Sequence, residues 1–161
     1  MVAREESQSQ FNLELDLAFV KDERLRRLLQ EFWSQSSRAF TANSFLGTLV
    51  GCGAILEGVL TWALLQREEI ALKSERACRD KQGKILPIPK WNLTNLVEVA
   101  SELKLIGKNA NQASWAVKEF RNLIHPYNLL EQSTRPDKGL AMAALGAVDS
   151  ICKSLKGRVE N

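Results

Sequence analysis

One short run of residues brings together the side chains that phosphate chemistry requires. It reads Lys118-Glu119-Phe120-Arg121-Asn122-Leu123-Ile124-His125-Pro126 and contains the only histidine of the chain. Helix positions i and i+4 differ by about 40° in azimuth, so Arg121 and His125 share a face. Asn122 flanks the same stripe, while Leu123 and Ile124 point elsewhere, toward a core. A guanidinium, an amide and an imidazole side by side supply a charge clamp, an orienting group and a proton carrier. Pro126 disfavours helical geometry at His125 and removes a backbone donor, which predicts that the helix ends there with the trio near solvent. The same residues also have a reading without a ligand. A histidine before proline at a helix end can cap carbonyls against the dipole, and Arg121 can pair with Glu57 or Glu119.

Glu57 is the second residue that asks for an explanation. It is the single charge between Phe45 and Leu65, the most apolar stretch of the chain. A carboxylate there must be paired, protonated or facing a cavity. Two placements are open: pairing with Arg121, which would fix the guanidinium, or a seat on an exposed helix edge. The stretch is long enough to span a bilayer, and Gly47-x-x-x-Gly51 resembles a membrane packing motif. The central carboxylate, Thr48, Cys52, Thr61 and four glycines instead predict a helix buried within a soluble bundle, with no membrane partner.

Composition sets the wider frame. A chain of 161 residues with 45% hydrophobic and 25% charged residues predicts one soluble domain with a true core. The net charge of +3 permits an anionic partner without demanding one. Cys52, Cys78 and Cys152 are odd in number and widely spaced, which argues against a disulfide framework or a zinc site. They read as small packing residues in a reducing cytoplasm. The polar opening MVAREESQSQ lacks the apolar segment of a signal peptide. Nothing in the pattern calls for a metal or a cofactor.

The elements that must position the motif follow from periodicity. Residues 1–20 form an N-terminal tail and arm, ahead of a helical domain over 21–157. Residues 1–10 read as a disordered tail. From Phe11 to Phe19, large apolar residues alternate with Asn12, Glu14, Asp16 and Ala18, a pattern that suits an extended arm or the frayed start of the first helix. Leu25, Leu28, Leu29, Phe32 and Trp33 predict an amphipathic helix over 20–39. A longer one is predicted over 42–77, its charged run from Arg67 to Lys81 forming a solvated end that could also meet phosphates. Arg79-Asp80-Lys81-Gln82-Gly83 signals a loop, extended by Pro87 and Pro89. Asn92 or Thr94 caps a third helix that Gly107 ends. A fourth covers 109–125 and carries the motif, and Pro136 suits the first turn of a fifth over 136–156. Trp33, Trp62, Trp91 and Trp115 read as core and interface anchors rather than base-stacking platforms. The sum is an all-α, up-and-down bundle of about five helices.

These residues resemble the HEPN superfamily (higher eukaryotes and prokaryotes nucleotide-binding). Arg121-Asn122-Leu123-Ile124-His125-Pro126 looks like its signature in an Arg-Asn-x-x-His-Pro form. The segment from Trp91 to Ala100 resembles the helix that precedes it in bacterial members, and Gly53 to Leu60 resembles their long core helix. Fewer residues separate Arg121 from His125 than in the common ribonuclease form, which keeps both on one helical face. The resemblance implies a metal-independent endoribonuclease or RNA-binding effector, dimeric, serving in a toxin–antitoxin or phage-defence module with an antitoxin or regulatory protein as partner. It implies His125 as proton carrier, Arg121 as phosphate clamp and Asn122 as orienting group, supported by Glu57. The rival expectation is a non-catalytic helical interaction or dimerisation protein in which the motif is structural.

Overall fold

The computed structural model describes residues 14–107, 125–131 and 135–159. The all-α reading holds: the only β pairing among the described residues is an isolated bridge between Arg79 and Ile85. Helix α1 spans Glu23–Thr41. It starts where the Asp22 carboxylate accepts the backbone N–H groups of Arg24 and Leu25, at 3.0 and 3.1 Å. Its buried residues Leu29, Trp33, Ser36 and Phe40 recur at helical spacing. The chain then reverses through Asn43 at φ 57°, with Asn43 and Ser44 donating back to Phe40 and Ala39. Asparagine tolerates that left-handed geometry better than other residues with a Cβ.

Helix α2, Phe45–Leu65, is the centre of the molecule. It packs against α1, against the C-terminal helix, and against the short elements between them. Leu49, Cys52, Ile55, Leu56, Val59 and Leu60 are all buried. By length and hydropathy this is also the one helix among the described residues that could cross a membrane. Its glycines have a different use. A Cβ on Gly51 would lie 1.9 Å from Ser36 Oγ, and one on Gly58 would lie 2.6 Å from Leu29 Cδ2. The Gly47-x-x-x-Gly51 pattern therefore lets α1 and α2 approach within one chain. Ser36 and Thr48 are buried in that seam and satisfy their hydroxyls on backbone carbonyls of Phe32 (2.8 Å) and Ser44 (3.0 Å).

Among the described residues the arm before α1 is not helical, and it turns at Ala18–Phe19, where the Val20 N–H donates to the Leu17 carbonyl at 3.0 Å. Leu15, Leu17, Phe19 and Val20 are buried, while Glu14, Asp16 and Ala18 face water. Phe19 meets Trp62 of α2 edge-on, with ring centroids 5.9 Å apart. Asp16 pairs with Lys156 near the other end of the sequence at 2.5 Å. Described arm and helices thus share one core.

Several expected boundaries move. The second helix stops at Leu65 rather than continuing to residue 77. A straight continuation would carry Ala71 and Ala77 away from the bundle. The bend at Gln66–Arg67 instead returns them to it through α3, Glu68–Ala71, and both are buried. The charged run after Arg67 is therefore the short helix α3 and a folded loop, not the continuing end of α2. A 3-10 turn at Ile88–Lys90 leads into α4, Leu93–Glu102, capped by Asn92 onto the Asn95 N–H at 3.0 Å. This helix ends before Gly107 because Leu105 and Ile106 turn back into the core. The reversal places Lys104 at φ 56°, and the Arg158 guanidinium holds its carbonyl at 2.8 Å. Helix α5 is Pro126–Glu131 and α6 is Lys138–Val159. Pro136 stands ahead of α6, whose cap is Asp137, accepting the Leu140 N–H at 2.8 Å. The predicted fourth helix lies outside the described residues up to residue 124.

The seam makes a direct prediction. Gly51→Ala should lower unfolding free energy by about 1–3 kcal/mol from overpacking, against a helix-propensity gain of about 1 kcal/mol. Ser36→Ala in the same chain should recover part of the loss, as read by urea denaturation. A stabilised Gly51→Ala would contradict the close approach.

Candidate functional site

Of the four residues expected to form the site, Arg121 and Asn122 lie outside the described residues, and His125 and Glu57 can be placed. His125 is exposed and precedes α5 directly. Its carbonyl accepts the N–H groups of Asn128 (2.9 Å) and Leu129 (3.2 Å), so it occupies the N-cap position. Pro126 opens this helix, consistent with a fixed φ suited to the first turn. The histidine therefore begins a described helix, while the helix end predicted before Pro126 involves residues outside the described ones. Its imidazole makes no hydrogen bond or ion pair with any described residue. Tyr127 and Leu130, both on α5, are strongly exposed beside it.

Glu57 takes the exposed-edge placement. It lies on the side of α2 that also shows Leu46, Val50 and Leu65 to solvent. Among the described residues no cation stands within ion-pair distance of it. Partial burial alone pushes its carboxyl above its ordinary value. The expected pairing with Arg121 involves a residue outside the described ones.

The other chemistry-bearing side chains are structural. Cys52 and Cys152 are buried, and burial pushes both thiols up to about 12. A thiol held protonated so firmly is not a nucleophile. Trp33, Trp62 and Trp91 are buried anchors, and the Trp91 indole donates to the Leu86 carbonyl at 2.7 Å. Trp115 lies outside the described residues. No group of three or more histidine, cysteine or carboxylate side chains that could hold a metal occurs among the described residues. The charged run that the sequence marks from Arg67 to Lys81 extends to Lys84 and Lys90 as exposed cations on the loop between α3 and α4. Net charge summed over short windows locates its full extent.

No family model, no curated protein and no solved structure matches the chain.

Glu57 can be tested through pH. A carboxyl whose folded value is raised penalises the folded state as it ionises, so stability falls as pH rises above its unfolded value of about 4.5. Glu57→Gln should raise the thermal midpoint at pH 7 and leave it unchanged at pH 4, apart from the general acid response. A midpoint lowered at pH 7 would show instead that Glu57 carries a stabilising ion pair.

Proposed function

We propose that the chain is a HEPN-like effector that acts on RNA, with Arg121, Asn122 and His125 as its site. The observation that carries this reading is His125: an exposed imidazole, unbonded to any described residue, in an Arg-Asn-x-x-His frame. The helical bundle is also the architecture that the HEPN resemblance implies.

The chemistry is metal-independent cleavage. The RNA 2′-hydroxyl attacks the adjacent phosphorus, the 5′-oxygen leaves, and a cyclic phosphate and a 5′-hydroxyl result. His125 accepts or returns the proton. Arg121 stabilises charge developing on the phosphate oxygens, and Asn122 orients phosphate or imidazole. One histidine cannot readily be base and acid at once, so a symmetric homodimer supplies the second. A cytoplasmic toxin–antitoxin or phage-defence module, with an antitoxin as regulator, is the setting such an activity fits.

A second reading has its own observation. Leu46, Val50 and Leu65 leave an apolar edge on α2 beside Glu57, which suits a non-catalytic interaction or dimerisation protein.

Expression of wild type beside His125→Ala separates the two. The exposed position of His125 means that the variant should fold. The proposal expects growth arrest and cleaved cellular RNA with wild type, and cleavage by the purified variant reduced about 10²–10⁴-fold. Equal cleavage or equal toxicity in the variant would overturn it.

A further inference from the structure

Between α3 and α4 the fold gathers six exposed cations on one loop: Lys73, Arg76, Arg79, Lys81, Lys84 and Lys90. Only Glu75 and Asp80 oppose them between residues 73 and 90. This segment thus carries a net charge of about +4, while the rest of the chain is near neutral, against +3 for the whole. The chain's positive charge is therefore local, which total composition conceals.

The loop is also held in shape. The Arg79–Ile85 bridge closes it, with Asp80 N–H donating to the Lys84 carbonyl at 2.9 Å. Gly83, at φ 81°, completes the tip in a conformation that other residues rarely adopt. The Asp80 carboxylate accepts the N–H groups of Gln82 and Lys84, both at 2.9 Å, so the acid at the tip is spent on the backbone. At the base, Ala77, Ile88 and Trp91 are buried, and Ser74 donates to Glu102 of α4 at 2.5 Å. Of the six cations, Arg76 pairs with Glu98 and Arg79 donates to the Gly83 carbonyl. Among the described residues, Lys81, Lys84 and Lys90 have no acidic partner within ion-pair distance.

We infer that this loop is a docking surface for the phosphate backbone of RNA. The inference rests on the RNA-directed reading above and adds to it where the strand lies. No large hydrophobic side chain between residues 73 and 90 is exposed. A bilayer site would be expected to offer an apolar insertion, and a protein interface an apolar core. The segment from Lys73 to Lys90 carries no aromatic ring for base stacking, and Trp91 beside it is buried and bonded. Charge without apolar or stacking neighbours suits a run of phosphates read without regard to sequence. Lysine ammonium groups on a pre-shaped loop supply that charge at low ordering cost.

The test measures binding apart from cleavage. Every chain carries His125→Ala, and the probe is a fluorescein-labelled oligouridylate of about 20 nucleotides in 50–200 mM KCl. The triple variant Lys81→Gln, Lys84→Gln, Lys90→Gln should lose about tenfold or more in affinity and flatten the log–log salt slope by about 2. A charge-matched control, Lys21→Gln, Arg24→Gln, Lys138→Gln, should stay within about twofold of the parent. Circular dichroism of both variants checks that they fold. Equal losses in the two variants would overturn the docking surface and leave the RNA-directed reading standing. No RNA binding by the parent would overturn both. Triple-sensitive binding to phosphatidylserine vesicles, with no response to the RNA, would overturn this inference in favour of a membrane surface.

Discussion

The approach of α1 to α2 at Gly51 and Ser36 is the constraint on which the rest of the structure depends. Two helices can bury their backbones against each other only where side chains leave room, and here the room is a missing Cβ facing a serine hydroxyl. With α1 seated on one side, α2 turns its remaining apolar sides toward α4, α6 and the N-terminal arm. Phe19 closes against Trp62, and Asp16 ties the arm to Lys156. Segments distant in sequence thus meet around one helix. The same helix would satisfy a length-and-hydropathy test for a membrane span, yet most of its apolar surface is used inside the bundle.

Where one physical signal dominated, the sequence could be read directly. The capping side chain Asn92, the stripe from Leu29 to Trp33, and the alternation from Glu14 to Phe19 each reflect a local rule, while α1 starts three residues later than its stripe suggests because Asp22 caps it. The departures occur where tertiary packing overrides a local pattern. Leu65 ends α2 although good helix formers follow, because burial of Ala71 and Ala77 needs a bend. Lys104 adopts a left-handed geometry that glycine prefers, because Leu105 and Ile106 must turn inward. Neither demand shows in periodicity. The candidate site was legible in its residue types, and Glu57 in its alternatives; which alternative forms depended on how α2 rotates toward its neighbours.

The functional proposal joins two surfaces of different character. His125 stands exposed at the start of α5 and offers a proton carrier. The loop from Lys73 to Lys90 carries a net positive charge, which the Arg76–Glu98 pair offsets only in part, on a frame stiffened by Asp80 and Gly83. On this proposal an imidazole moves the proton, and fixed cations hold the polyanion. Binding and cleavage are then separable properties, carried by different residues.

The central structural claim is that α2 is the buried axis of a bundle that is stable in water. Native-state hydrogen exchange on the whole chain in detergent-free buffer tests it most directly. The amides from Leu49 to Leu64 should exchange only through global unfolding, with protection matching the unfolding free energy from denaturation. Faster exchange along α2 than along α1 and α6, or a chain that stays dispersed only in detergent, would contradict it.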